Sequence, residues 1–320
     1  MVTSASSGVR GTCQCFQVTR FASAYHLGVE PLLTASSLRV DISGTPAVEG
    51  LSLASTGDRV LVLGAARALF EAAAGLRPLT RGELLVAGQA PLAALEAGTV
   101  AGASLDPPLP STWTVRQYVT WSARLAGHPS GTARALAGEA IERMKLGELA
   151  TQKLAGVPAA GRRGTVIAAA IATGAPVVLV EDPVVGLPDE AGRSFARVVV
   201  RALADRRSLF FAARLPLDSP IALAADEAIV IDGPRVGGQG DPAEIAAKDS
   251  AFVLRVAGDA RAFVDAVEAQ GGRLLGSPGD PAQARLTIDL GALRTRDLLR
   301  IAADSNAVVL ELRPLGRAFA

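Results

Sequence analysis

Two carboxylates stand side by side at the end of an apolar run: Val177 to Val180 contain only Val and Leu, and Glu181 and Asp182 follow. Adjacent acids at the mouth of a buried strand could hold a divalent cation and polarise a water, one acid for each task. A second stretch, "LVLGAARALFEAAAGLRP" from Leu61 to Pro78, has the outline of a phosphate cradle. It offers an apolar strand, a turning Gly64, a helix over Ala65 to Ala74, and Gly75 to end it. Such a cradle needs G-x-x-x-x-G-K-[S/T], in which backbone N–H groups wrap the phosphates and Lys adds a point charge. Here Ala65, Ala66, Arg67 and Ala68 follow Gly64, and the first Lys of the chain is Lys145. Arg67 therefore reads as an exposed helix residue, and Glu181 and Asp182 as exposed acids at a strand end.

These residues need elements to position them. "LLTASSLRVDI", "PAVEGLSLAS" and "DRVLVLG" read as strands, and "GELLVAGQAPLAAL" as a strand, a turn and a helix start. From about Asp106 to Leu149 the text turns helical. Helix (Arg163–Thr173), strand (Val177–Val180), helix (Glu190–Asp205) and two strands (Ser208–Ala212, Ala228–Ile231) follow. Alternating strands and helices imply a largely parallel sheet. Val115, Tyr118, Val119 and Ala123 are spaced as one buried helix face requires. Residues 249–320 read β-α-β-α-β, a separate small α+β unit with no polar cluster suited to chemistry.

Composition narrows the function. With 320 residues, 49% hydrophobic and 20% charged, the chain can bury a sizeable core. A net charge of +1 gives no basic excess for a nucleic-acid partner. Cys13 and Cys15 are too few for a disulfide framework or a Cys-based zinc site, and no metal site is expected. His26 and His128 read as ordinary loop residues. The longest uncharged run, Gly164 to Val180, is interrupted by Gly174 and Pro176 and falls short of the ~20 residues a spanning helix needs. Residues 1–31 form a polar leader without the pattern of a signal peptide, and a cytoplasmic protein is expected.

The order and spacing of "PAVEGLSLASTGDRVLVLG", "AAGLRPLTRGELLVAGQ", "DPPLPSTWTVRQYVTWSARLAG", "LGELATQKLAGVPAAGRRGTVIAAAIATGAPVVLVEDPVVGLP" and "EAIVIDGPRVGGQGDPAEI" resemble the ATP-binding subunit of an ABC transporter. The resemblance implies an α/β fold. Its P-loop-NTPase-like ABC ATPase core, with a mixed or parallel sheet, would span residues 32–248, and its helical subdomain about 106–162. The tail, 249–320, resembles an appendage of drug-export and gliding-motility-type subunits.

The same resemblance implies ATP and Mg²⁺ as ligands, a membrane permease and a dimer, yet the motif positions carry other residues. The nucleotide loop, Gly64 to Ala68, is about four residues shorter than its motif, with Ala66 at the Lys position. Charge-assisted hydrogen bonds contribute roughly 1.5–3 kcal/mol each, and about 4 kcal/mol turns a micromolar site into a millimolar one. Ile42 stands at the adenine-stacking position and Leu105 at the Q-loop glutamine. The signature becomes Val157, Pro158, Ala159, Ala160 and Gly161, the glycine-leucine-aspartate turn ends at Pro188, and Arg214 takes the switch-histidine position. Glu181-Asp182 reverses the Asp-Glu order of Walker B, and a misplacement of about 1 Å can cost ~10²-fold in rate.

The expected function is a pseudo-ATPase subunit, structural or regulatory, without ATP hydrolysis or a retained cofactor. It would lie peripherally on the inner face of the cell membrane as a homo- or heterodimer. Leu105, Asp106, Pro107, Pro108 and Leu109 would form the permease-docking stretch, since a proline-stiffened apolar loop suits a groove that receives a helix. The alternatives are an active transport ATPase that binds nucleotide unconventionally and a free cytosolic interaction protein.

Overall fold

The first two strands, β1 (Leu33–Ile42) and β2 (Thr45–Ala54), form a hairpin. Its two-residue turn, Ser43–Gly44, has φ of 50° and 78°, the pair of positive values that the hairpin twist favours. The computed structural model describes residues 30–216, 218–232, 235–247, 251–275, 283–291 and 293–314. The polar leader, with Cys13, Cys15 and His26, lies outside the described residues save for Glu30 and Pro31.

Strand β3 (Arg59–Leu63) is apolar on both faces because both are covered: Val60 and Val62 point into one core, Leu61 and Leu63 into another. Helix α1 (Ala66–Ala73) fills the first core, and β4 (Arg81–Val86) pairs with β1 to complete an antiparallel sheet in the order β2-β1-β4. Helix α2 (Pro91–Glu96) leads to β5 (Val100–Ala103). The second core is built largely by α3 (Val115–Leu125), α4 (Ser130–Arg143) and α5 (Ala159–Ala172). Thr114 and Gln117 close a reciprocal capping box on α3, and Val115, Val119 and Ala123 are fully buried, with Tyr118 partly so. Helix α5 starts four residues before the expected Arg163, because Pro158 already has the φ of a helix entry.

The chain returns through β6 (Val177–Glu181), α6 (Asp189–Ala202), β7 (Arg207–Ala212), α7 (Pro220–Ala224), β8 (Glu227–Asp232), β9 (Arg235–Gly240) and α8 (Pro242–Ala247). The central sheet has the order β5-β6-β7-β3-β8-β9 and is parallel except for the β8–β9 pair. Beyond it, β10 (Ala251–Gly258), α9 (Ala260–Ala269), β11 (Arg273–Leu274), β12 (Gln283–Asp289), α10 (Thr295–Asp304) and β13 (Ala307–Pro314) make an antiparallel sheet, β11-β12-β10-β13, with its own core of residues such as Leu254, Phe263, Ile288 and Ile301. Val253, on the other face of β10, is buried in the core shared by α3, α4 and α5.

Candidate functional site

In parallel sheets, ligands bind outside the carboxyl ends of the strands. Four sequence-predicted segments fall at that edge: Gly64 to Ala68 after β3, Leu105 to Leu109 after β5, Glu181 and Asp182 at the end of β6, and Arg214 beyond β7. Strand β3 passes into α1 through only Gly64 and Ala65. Gly64 has φ +109°, and a Cβ there would lie 2.0 Å from the Ile231 carbonyl oxygen. Close packing against β8 thus demands this glycine. The Ala66 N–H turns back to the Gly64 carbonyl at 2.7 Å, and Ala66 and Ala68 are buried. Arg67 is exposed, and its Nε donates to Glu71 Oε1 at 2.9 Å. Glu71 also receives Arg77, which ties the helix end to the Asp41 carbonyl at 3.1 Å. Burial pushes the Glu71 carboxyl up, but the bonds from Arg67 and Arg77 hold it below the ordinary range.

Glu181 and Asp182 are not the exposed acids expected at a strand end: both are half-buried, and each is tied to backbone. Glu181 Oε2 accepts the Leu105 N–H at 3.0 Å, and Asp182 Oδ1 accepts the Ala213 N–H at 3.1 Å. The loops after β5 and β7 fold over the end of β6 and withdraw the acids from water. Burial pushes the Glu181 carboxyl above the ordinary range, opposed by the Leu105 N–H and the charge of Arg67. Burial also raises Asp182, opposed by the Ala213 N–H and Arg163. Asp182 has φ +38° and gives its own N–H to the Phe211 carbonyl at 2.7 Å.

Arg163 had no expected role beyond opening a helix. This half-buried guanidinium on α5 is pulled down in pKa by burial, with the charges of Asp106 and Asp182 opposing. One nitrogen reaches the Pro183 carbonyl at 3.4 Å, while its buried Nε has no hydrogen-bond partner. The available signal was its position: Arg163 directly precedes the uncharged run from Gly164 to Val180. Arg214 is exposed beyond β7.

The signature-like residues enter α5. Val157 is buried, Pro158 is the N-cap and exposed, Ala159 is exposed, Ala160 is half-buried and Gly161 is buried. A Cβ on Gly161 would meet Val157 Cγ1 at 2.6 Å and Leu149 Cδ1 at 2.9 Å, so this glycine serves helix packing. Leu105, Asp106, Pro107 and Leu109, with Leu154 and Val166, line a cavity of about 290 Å³ between the β5–α3 loop and α5. Pro108 is exposed beside it.

The chain has the α/β fold of an ABC transporter ATP-binding subunit, with a small antiparallel α+β unit after it. Its solved counterparts include cbiO1 from Clostridium perfringens, part of the ABC transporter complex cbiONQ. That similarity has a TM-score of 0.58 and 20% identity over 68% of this chain and 91% of that one. The ADP conformation of MJ1267, an ATP-binding cassette of an ABC transporter, matches with a TM-score of 0.57 and 14% identity over 68% and 95%. A nucleotide-free ATP-binding cassette from an ABC transporter matches with a TM-score of 0.56 and 14% identity over 66% and 91%. No family model matches the sequence, and no curated protein matches it. Among the described residues, no helix is long and apolar enough to cross a membrane.

Proposed function

We propose that this chain is an ATP-binding-type subunit of an ABC transporter that has lost ATP hydrolysis and serves a structural or regulatory role docked to a membrane permease. The observation that carries the reading is the two-residue passage from β3 to α1. A phosphate cradle needs a longer loop of free N–H groups and an ammonium. Here Ala66 turns its N–H inward, Arg67 is paired with Glu71, and no Lys precedes Lys145. Glu181 and Asp182 each have an oxygen bound to a backbone N–H, and Arg163 offsets the charge of Asp182. This set of groups does not fit Mg-ATP, and no chemical step is assigned to it.

The ATPase-like unit would run over 32–248, with the helical subdomain at 106–162 and an appended unit at 249–320. The docking stretch would be Leu105 to Leu109, beside a cavity against α5 whose lining mixes Leu105, Leu109 and Val166 with Asp106, Ser111 and Arg162. Assembly with a permease, in the way cbiO1 is part of the ABC transporter complex cbiONQ, would place the chain peripherally on the inner membrane face, as a homo- or heterodimer. Purified protein is expected to release phosphate from Mg-ATP no faster than buffer does. Turnover that disappears in Asp182→Asn would contradict the proposal.

A further inference from the structure

Only two tryptophans occur in the chain, and the fold brings both to one cavity. Trp113 precedes α3 and Trp121 lies on it, with ring centroids 5.6 Å apart and planes at 84°. Tyr118 extends the cluster, 6.0 Å from Trp121. Trp113 and Tyr118 lean on the core, whereas Trp121 is 43% exposed. With Arg116, Arg124, Arg134 and Thr120, the two tryptophans line a concavity of about 610 Å³. It shares no lining residue with the cavity beside Leu105.

The charge here is one-sided. No acid lines the concavity. Among the described residues no carboxylate pairs with the three guanidiniums, and Arg134 donates only to the Ser130 carbonyl of its own helix, at 3.2 Å. The whole chain is balanced, with 32 basic and 31 acidic residues, so three unpaired arginines together are a local feature. Trp, Tyr and Arg are the side chains that dominate binding energy at protein interfaces. Guanidinium forks match carboxylates, and two rings set edge to face leave a corner for an apolar group.

We infer that this concavity binds an acidic segment of a partner protein, with carboxylates on Arg116, Arg124 and Arg134 and an apolar side chain seated between Trp113 and Trp121. A flat anionic bilayer would leave the concavity unfilled, and its opening along α3 suits a peptide chain better than an enclosed metabolite. The inference does not depend on the loss of ATP chemistry or on docking at Leu105.

The test titrates the purified full chain with a tryptophan-free peptide of alternating glutamate and leucine, in parallel with the same peptide carrying lysine for glutamate, inorganic phosphate, and phosphatidylcholine vesicles with and without phosphatidylserine. Tryptophan emission, excited beyond the tyrosine absorption band so that it comes only from Trp113 and Trp121, reports occupancy. Anisotropy of dye-labelled peptide reports binding even where emission is silent. The acidic peptide should bind saturably and lose affinity with added salt, and the lysine peptide should not bind. Joint Arg116→Glu and Arg124→Glu substitution, at exposed positions, should weaken binding at least ~10-fold, the size of two lost exposed charge pairs, with unchanged circular dichroism. Absence of saturable binding, equal binding of the lysine peptide, retained affinity in the double variant, or response to anionic vesicles alone would overturn the inference.

Discussion

At the residue scale, Glu181 and Glu71 make opposite contributions to stability with pH. The folded chain raises the Glu181 carboxyl through burial, so it binds that proton more tightly than the unfolded chain does. The stability from this site is present at acid pH and lost as pH rises from the ordinary carboxylate range through the raised folded value. Glu71 is lowered, so its contribution is present near neutrality and lost as pH falls through its depressed folded value. Glu181→Gln keeps an acceptor for the Leu105 N–H and removes the ionisation. It should therefore match or exceed the parent in stability at neutral pH, with the gap closing in acid. Glu71→Gln should lose stability at neutral pH, with its gap also closing in acid. Urea unfolding across pH checks both, and a Glu181→Gln variant that is clearly less stable at pH 7 would show that the ionised acid has a stabilising partner other than those described.

At the element scale, the β3–α1 turn decides what kind of glycine Gly64 is. If it served only to let phosphate approach, alanine would be tolerated in a chain that, on the proposed reading, no longer binds phosphate. Its positive φ and the 2.0 Å approach to Ile231 predict otherwise. Gly64→Ala should cost at least about 2 kcal/mol, in the range of backbone strain and overpacking, measured by denaturant midpoint; a loss under about 0.5 kcal/mol, the ordinary range for surface changes, would contradict the packing. Such elements were partly legible in the sequence. The apolar run Val177 to Val180 announced β6, and the spacing of Val115, Val119 and Ala123 announced the buried face of α3. Strand β5, "VAGA", gave no signal because four small residues carry neither alternation nor β-branching beyond Val100. The acids were legible as acids but not as buried ones. Their partners come from 76 and 31 residues away, at separations no local pattern encodes. Trp113 and Trp121 are near in sequence, but their contact depended on the chain path into α3, since Trp113 stands ahead of the helix that carries Trp121.

At the scale of the whole molecule, the fold keeps the layers of an ATP-binding subunit while its strand-end edge is tied up by its own side chains. A docking role then needs an intact surface next to that edge. Leu105 is half-buried at the cavity, with its backbone N–H fixed by Glu181, which holds the loop in place without nucleotide. Leu105→Asp should shift the protein from the membrane to the soluble fraction while its circular dichroism stays unchanged. Leu109 packs partly on the core, so Leu109→Asp is the companion variant only if its melting temperature is retained. A folded Leu105→Asp protein that stays on membranes would place docking elsewhere. The central claim, that this fold no longer accepts nucleotide, is tested most directly by isothermal titration of the purified full chain with Mg-ATP. The account predicts no saturable heat at micromolar to submillimolar nucleotide, and a Kd below about 10 µM, equivalent to roughly −7 kcal/mol of binding, would contradict it.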